Sequence, residues 1–343
     1  MHSINYISTE AESVNHAANK AKLDVNKIFE HTFGLPKLIY KHMILKSKMD
    51  KFKYLFYHGN ELVNMLRWNN KMIFIQYPFW RNNIMKIVLK YIMKRNNIIF
   101  LLHDITSMRG ADISLNEEIE LLNRASAIIV HNRKMHKVLK DNGVNIPMVD
   151  LDVFDYLRDT NKHAERKLSN KIVFAGNLDK SVFLKHIEDL NDIFYLYGPC
   201  NKDFSMSKNV KYMGSYSPEI IAEKLEGSFG LIWDGDSIDT CNGMYGEYTR
   251  YNNPHKLSLY IASCLPVIVW SEAAIADFVR KEKIGFCVDS LHEIHEKIHN
   301  MTSDDYEVYV YNISKLQKKV INGYFTRNAI QKALEVLKCK VEN

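Results

Sequence analysis

The sequence of 343 residues predicts an α/β protein built from two doubly wound, parallel-sheet domains. Three observations carry that expectation. The length suits two domains of ordinary size better than one. Short apolar runs alternate with helical patterns almost throughout, as in parallel sheets with helices on their faces. Some runs, such as Ile98–Leu102 and Ala127–Val130, are apolar without a break, which suits strands buried on both faces.

In the first half, candidate strands are 3–7, 71–76, 97–102 and 126–131, with helical patterns near 16–31, 83–95, 116–124 and 133–141. Residues 35–68 fit no single pattern. Residues 150–170 turn polar and charged and read as a hinge. The first domain is therefore placed at 1–155 and the second at 156–325, with the last helix, 326–343, packing back on the first.

The second half restarts the alternation. Strand Lys171–Ala175 runs into Gly176-Asn177, and strands follow at 193–197 and 210–213. Ser217 is a candidate cap with Pro218 at the first helical position. Strand 229–234 leads into the polar loop 235–252. Asn253 then caps a helix opened by Pro254, and Val267–Trp270 is the next strand. Ser271 caps a helix at 272–281, which Gly285 ends.

Composition narrows the function. The chain is 46% hydrophobic and 25% charged, an ordinary globular balance. Its net charge of +6 fits anionic partners without choosing among them. The absence of an Arg-rich tract or zinc-finger spacing argues against nucleic acid. Cys200, Cys241, Cys264, Cys287 and Cys339 are scattered and never form Cys-x-x-Cys, which argues against a disulfide framework or a zinc site. The start, MHSINYISTEAE, lacks the basic and apolar regions of a signal peptide. No run of about 18 apolar residues spans a membrane. The expected location is the cytoplasm. Residues 8–24 lack Gly-x-Gly-x-x-Gly, and neither a Walker motif nor Gly-x-Ser-x-Gly is present, which argues against dinucleotide, P-loop and α/β-hydrolase chemistry.

Ligands of doubly wound sheets bind at the carboxyl ends of strands, so the loops after strands hold the candidate residues. In Asn253-Pro254-His255-Lys256, a lysine sits in the first turn of a helix, where its charge is unfavourable to the helix dipole. A bound anion reverses the sign, so this reads as a diphosphate seat with Lys256 as its cation. Lys180, in Gly176-Asn177-Leu178-Asp179-Lys180, is a second candidate for a phosphate, and Tyr216 for stacking on a nucleobase. Asp234-Gly-Asp236 is a carboxylate pair of the kind that holds a divalent cation, although loop capping or contact with hydroxyls explains it better. Asp104, placed first, and His103 follow the strand 97–102 as candidate bases. Asp24, His16 and His58 are lesser candidates. Lys86, Lys90 and Lys94 line one side of an apolar helical pattern that suits either a core helix or an anionic membrane surface.

Segment 229–279, with FGLIWDGDS, Tyr-Asn-Asn-Pro-His-Lys and Ala-Ala-Ile-Ala-Asp-Phe, resembles bacterial β-1,6-galactofuranosyltransferases of O-antigen and capsule synthesis and the related glucosyltransferase 3-like enzymes. Tyr77-Pro78…Trp80, Leu102-His103-Asp104…Arg109-Gly110, Val130-His131-Asn132, Asp152–Leu157, Phe174–Leu178 and the Ala-Asn-Lys-Ala run at 18–21 extend the likeness over nearly the whole chain. The resemblance implies the GT-B fold, two Rossmann-like domains facing a cleft. It implies a UDP-hexose donor held by Asn177, Lys180, Tyr216, Asn253 and Lys256, no metal or other cofactor, and a glycan acceptor on lipid or protein. Galactofuranose, glucose and galactose are all compatible. No two glutamates of the second half stand eight apart, so the Glu-x₇-Glu pattern of many retaining relatives is missing and inversion is favoured. The alternatives are a metal-dependent GT-A transferase using Asp234 and Asp236, and a non-catalytic partner subunit of another transferase. Self-association and peripheral membrane contact are compatible with either reading.

Overall fold

The computed structural model describes residues 4–10, 17–34, 37–41, 47–79, 83–110, 113–201 and 208–341. His16 and Trp80 lie outside them. The chain forms two compact units. One runs to His131 and includes His136–Leu151 and the chain from Thr326; the other comprises Asn132–Met135 and Asp152–Phe325.

The first unit has strands β1 (Ile4–Glu10), β2 (Lys37–Lys41), β3 (Met72–Tyr77), β4 (Asn97–Leu102), β5 (Ala127–Val130) and β6 (Met148–Asp150). Helices α1 (Ala17–Phe33), α2 (Lys48–Leu66), α3 (Asn83–Met93), α4 (Leu115–Leu122) and α5 (Arg133–Asp141) connect them. All neighbours pair in parallel, in the order β2-β1-β3-β4-β5-β6. The apolar runs of β4 and β5 are buried without a break, as their composition requires: every residue from Ile98 to Leu102 and from Ala127 to Val130 lies in the core.

Helix α2 occupies the stretch that fitted no pattern. Ser47 Oγ accepts from the Asp50 N–H at 3.1 Å, and Asp50 Oδ2 accepts from the Ser47 N–H at 2.8 Å, a capping box that fixes the helix start. Its period is obscured because apolar residues lie on its outer face as well as its inner one: Leu62 and Met65 are buried while Phe52 and Phe56 are exposed.

The second unit has strands β7 (Lys171–Ala175), β8 (Ile193–Tyr197), β9 (Val210–Gly214), β10 (Phe229–Ile232), β11 (Val267–Trp270) and β12 (Gly285–Val288). They pair in parallel in the order β12-β11-β10-β7-β8-β9, the strand order of a dinucleotide-binding sheet. Its helices are α6 (Ile221–Lys224), α7 (Gly243–Tyr248), α8 (His255–Ala262), α9 (Ala276–Glu282), α10 (Ile294–His299) and α11 (Ser303–Val320). The last helix, α12 (Tyr324–Val341), follows.

Several helix starts differ from the expectation. Ser217 opens a turn, its carbonyl accepting from Ile221 N at 3.0 Å, and α6 begins only at Ile221. A tight turn at 271–275 delays α9 to Ala276. That helix ends at Lys283, which adopts φ 51°, and not at Gly285. Gly285 instead opens β12 at φ 156°, where a Cβ would lie 1.9 Å from the Val267 carbonyl oxygen. A glycine there serves strand contact and not helix termination.

Residues 151–170 carry no regular secondary structure. Two arginines anchor the stretch to the end of α8. Arg158 Nη1 donates to Ala262 O at 2.8 Å, and Arg166 Nη2 donates to Ser263 O at 2.7 Å. Cations at a helix C-terminus satisfy its last carbonyls and complement its dipole.

His131, directly after β5, is fully buried, with Nε2 donating to Leu102 O at 3.1 Å. Burial pushes its pKa down from 6.5 to about 4, so the folded ring is neutral. The unfolded chain takes up a proton near pH 6.5 that the folded chain refuses until about pH 4. Stability from this group is therefore complete above pH 6.5 and lost as pH falls through that window, by roughly 3 kcal/mol. Urea unfolding at both ends of the window is expected to show a shallower acid loss in His131→Asn than in wild type.

Candidate active site

In the second sheet β7 and β10 lie side by side, but the chain leaves them in opposite directions: β7 leads to β8 and β9, β10 to β11 and β12. A crevice beyond the carboxyl ends of two such strands is the usual ligand seat of an open parallel sheet.

One tyrosine opens this crevice. The pairing of β10 with β7 includes Gly230 opposite Val173. Beyond it, Ala175 N–H donates to the Tyr260 hydroxyl at 2.9 Å, and that hydroxyl donates to Leu231 O at 3.2 Å. The hydroxyl stands between the two strand ends. Gly230 admits the ring, since a Cβ there would lie 2.5 Å from it. Tyr260 is fully buried, and burial raises its pKa, so the phenol stays a donor. Tyr260→Phe strands a buried N–H and a buried C=O, at a cost of about 1–3 kcal/mol. The measurement is the urea midpoint, and an unchanged midpoint would contradict the bridging role.

Helix α8 starts at the same crevice. Its N-cap is Pro254 (φ −66°, ψ 136°), one residue later than expected, so His255 is the first helical residue and Lys256 the second. The Lys256 side chain runs across Gly176, where a Cβ would lie 3.2 Å from its Cε. Its Nζ sits 5.0 Å from the centre of the Phe174 ring and 4.0 Å from Asp234 Oδ2. The side chain is only 20% exposed. A glycine after β7, an aromatic floor from β7 and a carboxylate after β10 therefore place the ammonium at the sheet reversal. The start of α8 adds its positive dipole end beside that cation. The combination suits a diphosphate.

The neighbouring loops are tightly built. Asn177 Oδ1 accepts from Lys180 N at 3.1 Å, and Ser181 Oγ donates to Asn177 O at 2.9 Å, closing the turn after β7; the Lys180 residue itself is exposed. After β10, Asp234 Oδ1 accepts from Gly235 N at 3.0 Å, and Asp236 N donates to Asn242 Oδ1 at 2.8 Å. Gly235 has φ +107°, and a Cβ there would lie 2.4 Å from Asn242 O, so only glycine closes this loop. Among the described residues, no three His, Cys, Asp or Glu side chains are grouped so as to hold a metal ion.

The structure thus places Asn177, Lys180 and Asp234 on the loops after β7 and β10, and Lys256 in the first turn of α8, around one reversal. Two other candidates stand differently. Tyr216 follows β9 at the sheet edge, with its ring centre 6.3 Å from that of Tyr197 at the end of β8. Asn253, expected as the helix cap, is buried. Its Nδ2 donates to Asp152 O at 2.9 Å and its Oδ1 accepts from Asn132 Nδ2 at 2.7 Å. It ties the segment before α8 to Asp152 and Asn132.

In the first unit His103 and Asp104 follow β4, as the sequence places them. His103 N donates to Tyr77 O at 2.7 Å, which continues the β3–β4 ladder. Its Nε2 meets Oε1 of Gln76, a fully buried residue of β3. The Gln76 amide is oriented by its own donations, to Asn26 Oδ1 at 2.7 Å and to Lys22 O at 3.1 Å. Its Oε1 must then accept, so the neutral His103 ring carries its proton on Nε2 and presents Nδ1 as the acceptor. Asp104 Oδ2 accepts from Arg109 Nη1 at 2.5 Å. Each of the two candidate bases is thus held by a side-chain partner, His103 by Gln76 and Asp104 by Arg109. Asp24 is buried against Lys20, and His58 Nδ1 lies 3.2 Å from Glu61 Oε2.

Sequence reasoning missed Gln76, Asn132 and Tyr260 as site-building residues. For Tyr260 a signal existed: a lone glycine within strand 229–232 marks a close approach.

The comparisons agree with this architecture. The description "Glucosyltransferase 3-like" matches twice, its N-terminal domain over residues 4–153 and its C-terminal domain over residues 172–333. The β-1,6-galactofuranosyltransferase WbbI of Escherichia coli (strain K12) is 35% identical over 272 residues, covering 77% of this chain and 78% of that protein. Glucosyltransferase 3 of Streptococcus gordonii is 26% identical over 273 residues, covering 78% and 80%. Sucrose-phosphate synthase from Thermosynechococcus elongatus shares the fold at TM-score 0.65 over 100% of both chains, with 10% identity. WaaG, a glycosyltransferase involved in lipopolysaccharide biosynthesis, does so at TM-score 0.54 over 95% and 98%, with 7% identity. Two parallel sheets on a fold shared with these enzymes, together with the identity to the curated transferases, define a GT-B glycosyltransferase. Within that class, the chain belongs to the glucosyltransferase 3-like family.

Proposed function

We propose that the chain transfers a hexose from a UDP-sugar to a hydroxyl of a glycan acceptor, with inversion and without a bound metal. The acceptor oxygen attacks the anomeric carbon, the bond from that carbon to the diphosphate oxygen breaks, and UDP leaves. The acceptor proton passes to Nδ1 of His103. The observation that carries this reading is Lys256, held over Gly176 at the start of α8, where a cation and a helix dipole together offset the charge of the departing diphosphate. Asn177, Lys180 and Tyr216 are proposed as further contacts to the donor, while Asn253 supports the segment that carries Lys256. The relatives' names specify galactofuranosyl transfer in one and glucosyl transfer in the other, so UDP-galactofuranose, UDP-glucose and UDP-galactose are the donors to try.

The test offers each donor in excess EDTA with a panel of simple hexosides, reads UDP release, and reads the anomeric configuration of the product by NMR. Release with one donor and an inverted product is expected. A retained configuration would remove the base. Release only with Mg²⁺ or Mn²⁺ would move the diphosphate to Asp234 and Asp236.

A further inference from the structure

The positive charge of this chain is concentrated in one region. Residues 37–95 contain 13 Lys or Arg against two acids, Asp50 and Glu61, an excess of 11 in a chain whose net charge is +6. Helices α2 and α3 fall within this region and pack against each other. Both acids are engaged locally, Asp50 in the capping box of α2 and Glu61 beside His58. On α4, Glu117 lies close enough to Lys86 and Lys90 to feel both. Lys48, Lys51, Lys53, Arg67 and Lys94 are exposed.

The same surface is apolar. Met49, Phe52, Phe56, Val63 and Leu66 recur at spacings of three, four, seven and three, which sets them on one stripe of α2, and all five are exposed. Phe52 is 67% and Phe56 77% exposed. The inner face of α2 is a different one, carrying Leu62 and Met65. On α3, Ile87 is 69% exposed, and Tyr91 is exposed beside Arg95. Large apolar side chains rimmed by cations are the make-up of helices that lie in a lipid interface. Among the described residues no helix is long and apolar enough to cross a membrane.

We infer that α2 and α3 form a docking surface for an anionic lipid bilayer, with Phe52 and Phe56 entering the headgroup–acyl boundary and the lysines facing lipid phosphates. Charge decides the occupant. A second copy docked through this face would bring two strongly basic surfaces together, which is repulsive. A nucleic acid would satisfy the lysines but gains little from Met49, Val63, Leu66 and Ile87, which offer neither stacking rings nor hydrogen bonds. Lipid satisfies both. The inference does not depend on the proposed sugar transfer.

The test is flotation of the full chain with vesicles of phosphatidylglycerol and phosphatidylethanolamine in equal parts, and with vesicles of phosphatidylcholine alone. The wild type is expected to float with the anionic vesicles only, and less as salt rises. Phe52→Asp with Phe56→Asp is expected to lower partitioning at least a hundredfold, since burying each ring is worth about tenfold or more. An unchanged thermal midpoint shows that this variant is folded. Replacing Lys48, Lys51 and Lys53 with serine, which leaves the apolar stripe intact, is expected to weaken flotation as well. Wild type that stays with the soluble fraction at low salt overturns the inference, as does a folded double aspartate variant that floats like wild type. Light scattering that shows a dimer split by the double aspartate variant assigns the face to a second copy and overturns it too. So does tighter binding to a single-stranded oligonucleotide than to the anionic vesicles.

Discussion

Replacing His103 with alanine is expected to lower kcat by about 10²- to 10⁴-fold, the usual share of a general base, while UDP affinity stays at the wild-type level. The two effects separate because the proposed diphosphate seat is built from β7, β10 and α8, whereas His103 follows β4. Gln76 takes the Nε2 of the ring, so Nδ1 is the nitrogen assigned to the proposed role of base. Asp104→Asn is expected to have the smaller effect because Arg109 already engages that carboxylate. If His103→Ala retained wild-type kcat while Asp104→Asn abolished turnover, the base would be the carboxylate. If both retained it, neither residue would be the base.

Lys256→Met is the second large effect. Methionine keeps an apolar chain over Phe174 and Gly176 while removing the charge, so any loss reports electrostatics and not packing. UDP binding is expected to weaken by about 1.5–3 kcal/mol, the range for a hydrogen bond to a charged group. The rate is expected to fall further, by about 10²- to 10³-fold, because negative charge grows on the leaving diphosphate in the transition state. Lys256→Arg is not expected to rescue it, because a planar guanidinium replaces a compact ammonium at a position enclosed by Gly176 and Asp234. UDP affinity and kcat at wild-type levels in Lys256→Met would remove this residue from the donor site.

The sequence exposed those parts of the fold where one local signal dominates. β4, β5 and β11 read as buried strands because their residues are apolar without interruption, and α5 because its period is regular. α2 was hidden because its outward face is apolar, which blurs the helical period. Helix starts were misplaced where a turn precedes the helix: Ser217 and Ser271 sit at turns, and Asn253 spends its amide on Asp152 and Asn132, more than a hundred residues away in sequence. The site divides along the same line. Lys256 was legible because a lysine in the first turn of a helix conflicts with the dipole unless an anion is bound. Its place over Gly176 and near Asp234, the wedge formed by Tyr260, and the grip of Gln76 on His103 all depend on pairs distant in sequence. No local pattern encodes them.

Calorimetric titration of UDP into the wild-type protein in excess EDTA tests the central claim most directly. The account predicts saturable binding at one site that EDTA leaves unchanged, because Lys256 and the start of α8 supply the positive charge the diphosphate needs. An absence of binding, or binding that appears only when Mg²⁺ or Mn²⁺ is added, would contradict it.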